Sequence, residues 1–170
     1  MSEDEGAETQ KLLEHIQGDN PRAIIEAARE LASRGEPAAA PRLRQVLAST
    51  EDPLVRNALA LALSDMKDPP AFDALLDLIK SARTEGKRGT LLYALGAYDC
   101  STALPVLVDV VIHGNFEESN QALSLINEIE TELDEATWRE CNQQLRSALP
   151  LASDERRPLL EKLIELFERE

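Results

Sequence analysis

An Asn-Pro step at Asn20-Pro21 returns 32 residues later as Asp52-Pro53, and this recurrence constrains the fold more than any other feature of the chain. In each case a side chain that can accept hydrogen bonds precedes a proline whose missing N–H costs nothing at the first helical position. The same offset relates the turns Gly35-Glu36-Pro37, Lys67-Asp68-Pro69 and Asp99-Cys100-Ser101. Behind each turn the apolar register repeats as Leu43, Leu75 and Leu107, then Val46, Leu78 and Val110, then Leu47, Ile79 and Val111. Pro41 returns as Pro105, with Asp73 between them. Self-similarity at a fixed period of this length marks stacked helical hairpins, none of which can bury its apolar face alone.

Ala and Leu dominate the apolar residues, aromatics make up only 4% and there are 7 glycines, which favours helices over strands. The expected fold is all-α: a solenoid of about four helical hairpins with a capping helix at each end. Residues 1–7 are expected to be a disordered acidic N-terminus, and 8–170 a single repeat domain. Within it, 8–18 form an N-terminal cap helix, 20–50, 51–82, 83–114 and 115–150 the four repeats, and 153–170 a C-terminal cap helix. The helix after Asp52 is expected to bury Val55, Ala58, Leu59, Ala62, Leu63 and Met66, with Leu54 and Leu61 widening the stripe. The fourth repeat drifts to an offset of about 34, as terminal units of a stack do.

The second repeat resembles the HEAT-like repeats first recognised in phycobilisome lyases. The residues that carry the likeness are Asp52, Val55, Arg56, Ala58, Ala62 and Leu63, followed by Asp68, Pro69, Ala71, Leu75 and Leu78. The third repeat adds Arg88, Ala94, Leu95, Gly96, Asp99, Ala103, Pro105 and Leu107. The third repeat has Lys87-Arg88 where the second has Val55-Arg56, and the first repeat has no arginine at that place. The resemblance implies a right-handed α-α superhelix whose second helices line an inner binding face. It implies no activity, because the family includes lyase subunits, scaffolds and adaptors.

Net charge is −14, and it sits at the ends: −5 over residues 1–20, −1 over 21–116 and −8 over 117–170. Such a balance repels phosphate backbones and disfavours nucleic-acid binding, whereas a basic protein would be steered toward the chain. A ladder of exposed positions on the second helices is the first candidate contact: Gln45, Asp77, Asp109 and Gln143, with Asp73 one turn before Asp77. A second acidic patch is expected at the fourth turn, from Glu128, Glu130, Glu132, Asp134 and Glu135. The five arginines of residues 21–50, Arg22, Arg29, Arg34, Arg42 and Arg44, would meet either an acidic partner or the acidic N-terminal segment.

No catalytic, metal or cofactor motif is present in the sequence. His15 and His113 stand alone, without triad partners or ligand spacing. Cys100 and Cys141 read as reduced, buried thiols of a cytoplasmic protein, and the first residues have no leader-like apolar run. The expected function is therefore a non-enzymatic scaffold or adaptor for a basic protein, one version being a neutralising, immunity-type protein covering a cationic toxin or nuclease. The alternative is a lyase-like, chromophore-handling subunit. A DNA-binding HEAT protein is a third reading, and it needs a basic groove.

Overall fold

The computed structural model describes residues 3–131 and 134–168. Ten α-helices follow one another, and no strand occurs among the described residues. They are α1 (Glu3–Ile16), α2 (Pro21–Ser33), α3 (Ala40–Ser49), α4 (Pro53–Asp65), α5 (Ala71–Lys80), α6 (Gly89–Leu95), α7 (Leu104–His113), α8 (Phe116–Asn127), α9 (Glu135–Ala148) and α10 (Arg157–Glu168). The first helices of the repeats form one layer, in which α2 packs on α4, α4 on α6 and α6 on α8. The second helices form the other, with α3 on α5 and α7 on α9, and α3, α5 and α7 each pack on the first helix of the following repeat. The fold is an α-solenoid.

Both ends continue the stacking. Helix α1 lies against α2 and α3, the place a preceding second helix would take, and α10 covers α9 and α7. Helix α1 begins at Glu3, ahead of the expected start at Glu8, so residues 3–7 form its first turns. Met1 and Ser2 lie outside the described residues. Arg34 resolves the question of the first-repeat arginines in part, pairing with Glu8 of α1 at 3.1 Å and with Glu30 at 2.7 Å.

The caps act as the sequence indicates. Asn20 accepts from the N–H groups of Arg22 and Ala23, and Asp52 from those of Leu54 and Val55. Asn115 and Glu118 form a reciprocal capping box on α8. The third repeat differs. Thr84-Glu85 stands where Asn-Pro would be, and the Thr84 hydroxyl is buried and turned back onto the carbonyls of Leu78 and Ser81 at the end of α5. Without a cap or a proline, α6 starts only at Gly89 and is 7 residues long, against 13 for α2 and α4.

Helices α2 and α4 end in equivalent left-handed turns. At the first, Gly35 has φ +62° and the N–H groups of Gly35 and Glu36 reach the carbonyls of Ala32 and Leu31. At the second, Lys67 takes the left-handed conformation, with φ +50°, and Lys67 and Asp68 make the matching bonds to Ser64 and Leu63.

The core is continuous along the stack. Leu43, Leu47, Leu59, Leu63, Leu75, Ile79, Leu107 and Val111 are fully buried. Val55, Ala58 and Ala62 join them, whereas Met66 and Val46 are half-buried. Leu54 does not belong to this face: it is 68% exposed. As the second residue of α4, it falls where the apolar arc has rotated out of the neighbour's reach. Leu61, on the same margin, is half-buried. Trp138 is half-buried against the core, and its indole N–H donates to the carbonyl of Phe167, tying α9 to α10.

Polar contacts lock the second helices at their C-terminal ends, where backbone carbonyls lack helical partners. Arg83 donates to Ala48 O of α3, Arg88 to Ile79 O of α5, and Arg156 to Val111 O and Ile112 O of α7. In each case a cation meets the negative end of a helix, which favours it. Cys100 and Cys141 are free, buried thiols, and burial pushes them up to about 11 and about 12 respectively.

Candidate interaction surface

The five ladder residues all lie exposed on successive second helices: Gln45 on α3, Asp73 and Asp77 on α5, Asp109 on α7 and Gln143 on α9. Three have a basic neighbour on their own helix. Arg42 donates to the Gln45 side-chain oxygen at 3.0 Å, Lys80 lies 3.4 Å from Asp77, and His113 lies 3.6 Å from Asp109. Asp73 sits in the first turn of α5, where the helix dipole favours a carboxylate. The ladder is thus an exposed polar strip with its charge partly balanced in place.

The acidic fourth turn has more structural duty than its composition suggests. Asp134 is the N-cap of α9, and hydrogen bonds from the Thr137 hydroxyl and then the Thr137 N–H hold its carboxyl below the ordinary range. Glu135 pairs with Arg139 one turn on. Glu128 is exposed and accepts from the Ser124 hydroxyl, and Glu130 is exposed. Glu132 lies outside the described residues. His15 and His113 are both exposed.

The buried charges are elsewhere. Arg88, only 7% exposed, meets Glu118, 1% exposed, through two parallel bonds of 3.0 and 3.1 Å between α6 and α8. Glu118 also accepts from the N–H groups of Arg88 and Asn115. Burial pushes its pKa up, but these hydrogen bonds together outweigh burial and hold the carboxyl below the usual carboxylate value. Arg56, the residue at the Arg88 position one repeat earlier, is equally buried at 3%, and its Nε has no partner. Where the fourth repeat supplies Glu118, the third has Lys87 at the matching place after the cap position.

A groove of about 430 Å³ opens on the other layer, where the end of α4, α6 and the end of α8 meet. Tyr93 projects at it, 66% exposed, with Asp65, Gly96, Ala97 and Glu128 around it. The sequence places the candidate contact surface on the second helices and does not mark this groove. The available signal was Tyr93 itself, which falls 32 residues after Leu61 on the outward side of the first helices, where Arg29 stands in the first repeat.

Stacked hairpins of this kind are the architecture of repeat proteins that bind along extended surfaces. The model for HEAT repeats matches residues 9–96, more than half of the chain, and the protein belongs to that family. No curated protein matches the chain. HEAT repeats serve protein–protein interaction and scaffolding. Among the described residues no helix is long and apolar enough to cross a membrane.

Proposed function

We propose that this chain is a non-enzymatic HEAT-repeat scaffold that binds a basic protein. The observation that carries the reading is the register of Gln45, Asp77, Asp109 and, at the drifted offset, Gln143, with Asp73 one turn before Asp77; all five positions are exposed on second helices. A partner lying along the stack would meet these positions in succession, about one helix-packing distance of roughly 10 Å apart. The net charge of −14 favours encounter with a cationic surface.

The test is charge reversal in the full chain. Asp77→Lys with Asp109→Lys is expected to leave the thermal transition in place and to remove a salt-sensitive partner from affinity capture in the native organism. A partner set unchanged by the double reversal would overturn the assignment of this face.

A further inference from the structure

We infer that the groove beside Tyr93 is a docking site for an arginine side chain presented by the partner protein. The inference rests on the scaffold reading above and gives it a second, chemically specific contact, on the layer opposite the ladder. The chain has six aromatic residues, and the fold employs most of them. Phe72 and Tyr98 pack edge to face at 6.0 Å, the Tyr98 hydroxyl donates to Leu63 O, and Trp138 donates to Phe167 O. Tyr93 has no such duty: it is 66% exposed and makes no hydrogen bond among the described residues.

Its surroundings are suited to a flat cation. Asp65 at the end of α4 and Glu128 after α8 line the groove with the ring, and neither forms an ion pair among the described residues. Lys67 at the rim balances one of the two carboxylates and leaves the groove net negative. The floor is low because Gly96 carries no side chain: a Cβ there would stand 2.9 Å from Leu125 Cδ2. Ala97 beside it is small and exposed. A face-on aromatic ring attracts a cation, and a carboxylate within reach of the same cation adds a charge-assisted hydrogen bond. Arginine fits better than lysine, since its planar guanidinium can stack on the phenol ring while its N–H fork faces a carboxylate.

The test uses the full chain, isotopically labelled, titrated at physiological ionic strength with the peptide acetyl-Gly-Ser-Arg-Ser-Gly-amide and with its citrulline counterpart. Citrulline keeps the shape and removes the charge. Saturable amide shifts centred on Asp65, Tyr93, Ala97 and Glu128 are expected with arginine and not with citrulline. Affinity should fall at least tenfold in Tyr93→Ala and in the Asp65→Asn, Glu128→Gln pair, and be retained in Tyr93→Phe, which preserves the ring. Equal shifts with citrulline, unsaturable shifts spread over all acidic residues, or unchanged affinity in Tyr93→Ala would overturn the inference. Shifts centred instead on Asp77 and Asp109 would also overturn it, while leaving the scaffold reading intact.

Discussion

Arg88 and Glu118 face each other through a bidentate ion pair that is almost wholly removed from water and bridges the third and fourth repeats. Its members lie 30 residues apart, and every carboxylate oxygen of Glu118 is engaged. Removing one partner leaves the other charge buried without compensation, so Arg88→Met or Glu118→Leu is expected to cost about 3–5 kcal/mol. The Arg88→Met, Glu118→Leu double variant should recover much of that loss, a coupling that denaturant melts of the four proteins would measure. The pair also sets a pH dependence. Because the carboxyl of Glu118 is held below its unfolded value, its contribution is complete above the ordinary carboxylate range and is lost as pH falls through the lowered value. Glu118→Gln should therefore flatten the acid limb of the stability profile relative to the parent.

Arg56 supplies the contrast. It occupies the Arg88 position of the preceding repeat and is as deeply buried, yet its Nε lacks a partner. Arg56→Met keeps the aliphatic packing and removes the buried Nε that has no hydrogen-bond partner among the described residues, so the change should be neutral or stabilising. A loss in urea melts comparable to that of Arg88→Met would show that Arg56 has the same structural duty.

Lys67 holds a left-handed backbone conformation that the equivalent turn of the first repeat assigns to Gly35. A residue with a Cβ is strained there by roughly 1 kcal/mol relative to glycine. Lys67→Gly is expected to raise the melting temperature by several degrees, and an unchanged or lowered transition would refute the strain.

The two margins of α4 should respond differently to truncation. Leu63 and, in α5, Ile79 are fully buried, so alanine at either is expected to cost about 2–5 kcal/mol through lost burial and an unfilled cavity. Leu54 is 68% exposed, and Leu54→Ala should lie within about 0.5 kcal/mol of the parent in the same melts.

Much of the architecture is legible in the residues. The Asn20-Pro21 and Asp52-Pro53 caps, the leucine register of α3, α5 and α7, and the hairpin count all follow from local chemistry repeated at a fixed offset. The family match covers residues 9–96, the span that holds both caps together with α3 and α5. What escaped was set by side chains meeting across repeats. The burial of Arg88 depends on Glu118, the exposure of Leu54 on where α4 rotates relative to its neighbour, and the short α6 on which way Thr84 turns its hydroxyl. The candidate contact surface was legible only as a set of exposed positions. Arg42, Lys80 and His113 stand three or four residues from Gln45, Asp77 and Asp109 on the same helices, so these neighbours follow from helical spacing, whereas the groove beside Tyr93 is built from residues of three different repeats.

The sequence by itself determined the helical hairpin, its period and the apolar face it must bury, because these depend on interactions within a few turns of chain. Only the tertiary structure decided which charges pair across repeats, that Arg56 Nε is buried without a partner among the described residues, and where an aromatic ring is left open over a groove. Those outcomes depend on distances between residues of different repeats, which vary wherever a cap is missing, a glycine lets helices close in or a terminal helix replaces a full repeat.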